Sequence, residues 1–124
     1  MLTEVSISDF RNYTQKRLGH WDYNYGGWYL IVRKSDQKSY VGKSIEILHR
    51  LRQHISKKNP KTHIDKCINN DGAEQFKYFI IDTYKNYDID FFNRSLETVI
   101  ENELIRDYKT FQPHGLNICY YERI

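Results

Sequence analysis

The chain has 124 residues, which is the size of one domain and too short to enclose two separate hydrophobic cores. Leu, Ile, Val and Phe make up about a quarter of it, and there are 11 Tyr and 2 Trp, so the composition predicts a folded globular domain and excludes a disordered chain. The formal net charge is only +3, but residues 26–68 hold ten basic and three acidic residues, an excess of positive charge that suits a phosphate-bearing partner and equally suits a solvated helix face.

Neither membrane insertion nor secretion is indicated by the sequence. No apolar run approaches the roughly 20 residues that span a bilayer, and the first ten residues lack the pattern of a signal peptide. Cys67 and Cys119 lie far apart in the sequence and belong to no paired Cys or His motif. We therefore expect a soluble intracellular protein, cytoplasmic if its source is a prokaryote or a phage, with buried free thiols.

Residues 1–25 are predicted to form an N-terminal extension with a short helix around Ser8 to Leu18, since the composition changes at Gly26-Gly27. Residues 28–33 are rich in β-branched and aromatic side chains, and residues 39–42 are again strand-like. The residues between them supply turn chemistry. This pattern predicts a β-hairpin with a loop of about four residues.

Two helices and a strand are predicted after the hairpin. Ser44 is the candidate cap of a helix with an apolar stripe at helical spacing, which ends near Lys57. Thr62 is the candidate cap of a second, shorter helix that stops at Asp71-Gly72. Residues 75–81 have the composition and length of a buried strand.

The C-terminal third begins with the acidic and aromatic residues 84–93, which are compatible with a loop or with the start of a helix. Ser95 is the candidate cap of a third helix to about Lys109, and residues 110–117 have turn composition. The order of these elements predicts an α+β domain with a three-stranded antiparallel sheet flanked by helices.

Arg50 and His54 are the first candidates for chemistry, because they lie one turn apart on the first of these helices. At 100° per residue both fall at the edge of the apolar stripe, next to the sheet, where they can point into one shallow cleft. A solvent-reaching Arg and a hydrogen-bonded border His would give the same pattern without any activity. Zinc fingers, nucleotide-binding P-loops and serine-hydrolase elbows are excluded because their motifs are absent.

Five motifs in order resemble the GIY-YIG nuclease superfamily over nearly all of residues 26–118. They are Gly27-Trp28-Tyr29, Tyr40-Val41-Gly42, Arg50 with His54 four positions later, Glu101-Asn102-Glu103-Leu104-Ile105, and Gly115-Leu116-Asn117. The family usually has Ile where this chain has Trp28, a side chain expected to pack behind the site. Each motif alone is weak, whereas five in this order and spacing form a specific pattern.

The resemblance implies a nuclease domain at residues 26–124 that hydrolyses phosphodiester bonds with one divalent metal ion, Mg²⁺ or Mn²⁺. Glu101 would hold the metal, and Arg50 would stabilise the charge on the pentacoordinate phosphorus. Tyr29 would accept the proton of the attacking water, provided that its neighbours lower a pKa that is normally near 10.

The remaining family positions are implied to organise the site. Tyr40 and His54 would orient water, Tyr29 and the phosphate. Gly27, Gly42 and Asn117 would support the site from behind.

Helix geometry alone leaves two candidates for the metal ligand. With Leu96 as the reference, Glu103 falls between Val99 and Ile100 of the predicted apolar stripe, while Glu101 falls beside Ile105 and Tyr108. The motif's spacing to Leu104-Ile105 favours Glu101.

The basic block predicts contacts with the nucleic-acid backbone at Lys34, Lys38, Lys43, Arg52, Lys57 and Lys58. The resemblance implies DNA as the substrate, but nothing in the sequence separates DNA from RNA. A binding module of the same fold with weak or lost catalysis and an RNA-directed nuclease are therefore the alternatives.

Sequence specificity needs a source other than the long C-terminal DNA-binding region of many homing members of the family. Only seven residues follow Asn117. Specificity would then come from residues 1–25, from a homodimer or from a partner protein, or it would be low.

Overall fold

The computed structural model describes residues 2–14, 26–86 and 94–117. Within these residues one antiparallel sheet has the strand order β1-β4-β2-β3. The strands are β1 (Thr3–Val5), β2 (Gly27–Arg33), β3 (Ser39–Ser44) and β4 (Phe76–Thr83). The helices are α1 (Ile7–Phe10), α2 (Ile47–Ser56), α3 (His63–Asp71) and α4 (Arg94–Asp107). The predicted α+β class and the helix-flanked antiparallel sheet are confirmed.

The sheet has a fourth strand that the sequence did not predict. Residues 3–5 form β1 and pair antiparallel with β4, with Glu4 opposite Phe79. A strand of three residues is too short to show a period of two in its hydropathy. The helix predicted around Ser8 to Leu18 is wrong for residues 11–14, because α1 is a single turn that ends at Phe10, and residues 15–25 lie outside the described residues.

The helix boundaries test the predicted caps. The Ser44 prediction is wrong, because α2 begins at Ile47 with Glu46 as its N-cap residue. Ser44 instead ends β3, and its hydroxyl oxygen accepts a hydrogen bond from the Glu46 N–H (3.0 Å). The Thr62 prediction is correct, since its side chain accepts a hydrogen bond from the Asp65 N–H (3.3 Å) at the start of α3.

Alternation along β2 divides the buried side chains between the two faces of the sheet. Tyr29 and Ile31 join one apolar cluster, which α2 and α3 cover, and Phe10 of α1 packs into the same cluster. Leu30 of β2 joins a second cluster, with Ile105 of α4. The hairpin is therefore clamped between helices on both faces, which fixes the positions of its side chains.

Two smaller predictions concern the thiols and the membrane. Cys67 is a free, half-buried cysteine, and Cys119 lies outside the described residues. In the described ranges, every helix is too short or too polar to cross a lipid bilayer.

Candidate functional site

A cleft of about 150 Å³ opens where the hairpin meets α2 and α4. It is lined by Tyr29 of β2, Tyr40 and Lys43 of β3, Arg50 of α2 and Glu101 of α4. Four of the five predicted catalytic residues thus line one cleft, although they come from four separate elements. The fifth, His54, lies behind Tyr29.

Tyr29, His54 and Asp65 form a continuous hydrogen-bonded chain. The Tyr29 hydroxyl lies 2.7 Å from His54 Nε2, and His54 Nδ1 lies 2.5 Å from Asp65 Oδ1. All three side chains are buried. The helical pattern placed His54 on the border of the core, but it is only 1% exposed because α3 covers its outer edge with Asp65.

The charges of this chain follow from burial and from the hydrogen bonds. Burial lowers the pKa of His54, the hydrogen bond to Asp65 opposes that change, and the net shift is downward. Burial raises the pKa of Asp65, the hydrogen bonds from His54 and Thr62 lower it, and the net shift is again downward. At neutral pH the imidazole of His54 is therefore neutral and the carboxylate of Asp65 is ionised.

Tyr40 and Arg50 complete the side of the cleft that α2 faces. The Tyr40 ring lies against both Tyr29 and His54, with ring centroids 6.3 and 6.0 Å away. Arg50 is half-buried, and its positive charge is close enough to lower the pKa of both His54 and Asp65. The cleft is thus lined by a cation as well as by aromatic rings.

Glu101 supplies the acid. It is 2% exposed, and its Oε1 has no hydrogen-bond partner among the described residues. Burial raises its pKa to about 7, an effect that Lys43 opposes and Glu97 reinforces. A buried carboxylate oxygen with no donor suits a hard divalent cation, which would stabilise the ionised form. In the described ranges, no three side chains of His, Cys, Asp or Glu are grouped to hold a metal.

Glu97 and Lys43 form an ion pair beside Glu101. Lys43 Nζ lies 3.1 Å from Glu97 Oε1, and Glu97 is 3% exposed. The pair keeps the Lys43 ammonium at the cleft.

The buried face of α4 differs from the predicted apolar stripe. Glu97, Glu101 and Ile105, four residues apart, are buried, whereas Val99 of the predicted stripe is 50% exposed and Glu103 is exposed. Of the two acids that the sequence left open, only Glu101 reaches the cleft.

Positions 42 and 27 require glycine because neighbouring atoms lie too close for a β-carbon. Gly42 lies opposite Tyr29 in the hairpin, and a β-carbon at position 42 would overlap the Tyr29 ring and hydroxyl. Gly27 has φ +154°, and a β-carbon there would overlap the main chain of Asp82 in β4. Both glycines allow β2 to bring Tyr29 to the cleft.

The side-chain amide of Asn117 binds the outer edge of β3. Its Oδ1 accepts a hydrogen bond from the Val41 N–H (2.8 Å), and its Nδ2 donates to the Val41 carbonyl (3.0 Å). Asn117 thus pairs with the residue between Tyr40 and Gly42. Trp28 is buried as expected, and its indole N–H donates to the Glu97 carbonyl (3.2 Å), which ties β2 to α4.

The six residues predicted to contact a nucleic-acid backbone differ in exposure. Lys34, Lys57 and Lys58 are exposed, and Lys38 and Arg52 are half-buried. Lys43 is already paired with Glu97 in the cleft.

Sequence reasoning missed Asp65 and Glu97. Asp65 is the third residue of α3, where an acid is favoured by the helix dipole, so its local context gave it an ordinary explanation. Glu97 lies one turn before Glu101, and that i, i+4 spacing was the signal that could have identified it.

Known proteins resemble this chain in its sequence family and in its fold. The family model of the GIY-YIG catalytic domain matches residues 25–114. No curated protein matches the chain. The catalytic domain of intron endonuclease I-TevI, in a mutant form, is similar with a TM-score of 0.61 and 19% identity, over 77% of this chain and 94% of that one. A structure of the catalytic domain of homing endonuclease I-TevI has a TM-score of 0.58 and 20% identity, over 76% and 98%.

Proposed function

The chain belongs to the GIY-YIG family and is an endonuclease of that type, and on this premise we propose that it hydrolyses phosphodiester bonds of DNA with the help of one divalent metal ion. The observation that carries the proposal is the convergence of Tyr29, Tyr40, Arg50 and Glu101 on one cleft. A proton acceptor, a cation and a metal-binding acid are what a phosphoryl centre requires.

Tyr29 and His54 would remove the proton from the attacking water. As the water O–H bond breaks, its proton passes to the Tyr29 oxygen, and the hydroxyl proton of Tyr29 passes to His54 Nε2, 2.7 Å away. The water oxygen then bonds to phosphorus, and the electron pair of the breaking P–O bond stays on the leaving oxygen, which takes a proton from solvent. A neutral His54 is needed for this transfer, and burial favours the neutral form.

Arg50 would stabilise the charge that develops on the non-bridging oxygens. Its guanidinium is permanently charged and can donate two parallel hydrogen bonds to a phosphate. The half-buried position strengthens this interaction relative to one in bulk water. Lys43, held at the cleft by Glu97, would add a second positive charge close to the phosphate.

Glu101 would hold the metal ion through its buried carboxylate. When bound, a divalent ion polarises phosphoryl oxygens and stabilises the leaving oxygen. The free Oε1 of Glu101 and its raised pKa support this assignment, because a cation would relieve the cost of burying that charge.

DNA is the proposed substrate because both similar structures are catalytic domains of an endonuclease described as an intron or homing enzyme. The excess of basic residues in 26–68 supplies positive charge for a nucleic-acid backbone.

The test is to incubate the purified chain with supercoiled plasmid and with structured RNA, in Mg²⁺, in Mn²⁺ and in EDTA. We expect metal-dependent nicking or linearisation of the plasmid that EDTA abolishes. Cleavage of RNA alone would point to an RNA-directed nuclease. Binding of either polymer without cleavage would point to a binding module of the same fold.

A further inference from the structure

Asp65 is a buried acidic residue that lies outside the five family motifs. It is 2% exposed and lies on α3, which contributes no residue to the cleft. Its Oδ1 nevertheless lies 2.5 Å from His54 Nδ1, on the side of the imidazole opposite Tyr29. The three side chains come from three elements, so only the packing of α3 on α2 brings the carboxylate to the histidine.

We propose that Asp65 is a positioning residue of the active site, which holds His54 as the Nδ1–H tautomer and so directs the unprotonated Nε2 at the Tyr29 hydroxyl. This inference rests on the proposed function, in which His54 Nε2 receives the Tyr29 proton.

The tautomer follows from the donors and acceptors at the two ends of the ring. An ionised carboxylate can only accept a hydrogen bond, so the ring nitrogen that faces Asp65 must carry the hydrogen. In a neutral imidazole the other nitrogen then has a free lone pair, and the Tyr29 hydroxyl donates to it. The downward pKa shifts of both His54 and Asp65 agree with this combination of a neutral ring and an ionised acid.

Asp65 has a second role after Tyr29 has passed its proton to His54. Once Nε2 gains the proton, His54 becomes an imidazolium inside the core, where burial disfavours charge. The positive charges of Arg50 and Lys57 disfavour it further. Among the described residues, the groups that face the ring are Tyr29 of β2, Tyr40 of β3 and Asp65 of α3, and Asp65 is the one of them that carries a negative charge. Asp65 therefore stabilises the imidazolium while remaining ionised.

The first measurement needs no substrate and no variant. In ¹⁵N-labelled wild-type protein the ring nitrogen that carries hydrogen and the one that does not give separate chemical shifts, which report the tautomer of His54. We expect the hydrogen on Nδ1 near pH 7. A hydrogen on Nε2 in the wild type would overturn the proposal directly.

The second measurement is the cleavage rate of Asp65→Asn, with Asp71→Asn as the matched control. Asp71 lies on the same helix and pairs at the surface with Arg33, so its variant loses one carboxylate of α3 away from the cleft. The Asn amide can donate to His54 Nδ1 and favour the wrong tautomer. We expect Asp65→Asn to lower kcat by roughly 10²- to 10⁴-fold with little change in KM, and Asp71→Asn to cleave as the wild type does.

A double-mutant cycle separates positioning from a structural role. If Asp65 acts through His54, Asp65→Asn should slow a His54→Ala enzyme no further, because the group that it orients is already gone. Equal losses in both backgrounds would overturn the proposal, as would full activity of a folded Asp65→Asn.

Failure of the proposed function looks different. It would appear as a wild type that cleaves neither DNA nor RNA, and in that case the tautomer in the wild type still decides whether Asp65 orients His54.

Discussion

Glu101 and Glu103 are two positions apart on α4, but only the Glu101 carboxylate is buried at the cleft. Glu101→Gln keeps the size of the side chain and removes the charge that would hold the metal. We expect turnover to fall roughly 10³-fold in this variant, which corresponds to a loss of several kcal/mol of transition-state stabilisation. Plasmid nicking measures the turnover, and Mn²⁺ titration by calorimetry measures the metal affinity, which should fall in parallel.

Glu103→Gln is the matched control, since it removes an exposed carboxylate from the same helix. It should cleave at nearly the wild-type rate, and a thermal melt of each variant should exclude unfolding. An active Glu101→Gln together with an inactive Glu103→Gln would mean that helix α4 is aligned wrongly with the family motif.

His54 links the candidate site to stability at acid pH. Its pKa in the folded chain is below the usual 6.5, so as the pH falls the unfolded chain takes up the proton first. The stabilisation is present above pH 6.5 and is lost as the pH falls through the lowered pKa. We expect the unfolding midpoint of the wild type, measured in urea, to lose its advantage over His54→Gln between about pH 7.5 and pH 5.

Two comparisons separate the pH dependence that His54 contributes from that of other titratable groups. Glu101, whose raised pKa has the opposite pH dependence, is present in both proteins and cancels in the difference. His114 is exposed, so His114→Gln should follow the wild type across the same range. A constant gap between wild type and His54→Gln at all these pH values would show that His54 is not held neutral by burial.

Helix α4 is the element in which hydropathy and burial disagree. Glu97 and Glu101 occupy its buried face with Ile105, while Val99 points outward with half of its surface exposed. Burying two carboxylates costs free energy unless they are paired. Lys43 pairs with Glu97, whereas Glu101 Oε1 has no hydrogen-bond partner in the described part of the chain. A helix that buries a carboxylate such as Glu101 while it exposes a valine such as Val99 is typical of a functional site.

Gly42 of strand β3 allows the position of Tyr29 in the site to be tested. In Gly42→Ala the new methyl group would overlap Tyr29, whose ring is buried and whose hydroxyl is bound to His54. Tyr29 must therefore shift, and a shift of about 1 Å at a reacting group can lower turnover about 100-fold. Plasmid nicking at saturating DNA measures the loss.

Gly72→Ala is the control for this substitution. Gly72 has φ +96° and only the Glu74 side chain within 4 Å of a β-carbon, so alanine strains the backbone there without reaching the cleft. Both variants should melt earlier than the wild type, but only Gly42→Ala should lose turnover per folded molecule. Equal turnover in the two would show that position 42 does not control Tyr29.

At the scale of the whole molecule, the excess of positive charge lies in one stretch of the chain, at residues 26–68. If the six predicted basic residues each neutralise one phosphate, the logarithm of DNA affinity should fall with the logarithm of salt concentration with a slope of about −5. Fluorescence anisotropy with a labelled duplex in EDTA measures the slope without cleavage.

Single charges can be assigned in the same assay. Lys58→Gln should reduce the slope by about one, whereas Lys77→Gln, an exposed lysine of β4 outside the basic stretch, should leave it unchanged. An affinity that barely changes over a fourfold rise in salt would count against the basic stretch as the binding surface.

The sequence by itself predicted the hairpin and the helices that follow it, because these depend on local hydropathy periods, and the motif spacing favoured Glu101 over Glu103 as the metal ligand. Only the tertiary structure decided the start of α2 at Ile47 and placed Tyr29, Tyr40, Arg50 and Glu101 around one cleft. Local propensity and periodicity describe one element at a time, and they do not report which side chains of another element will cover it.

The same limit explains the contacts that were missed. Asp65 reaches His54 only because α3 packs on α2, and β1 joins the sheet only because β4, some 75 residues later in the chain, leaves an edge to pair with. Each contact depends on two elements meeting in space, where burial changes what the side chains can do. Burial favours a neutral His54, and it leaves Glu101 Oε1 without a donor among the residues that the structure describes. Both effects arise because neighbouring elements exclude water, and not from the residues alone.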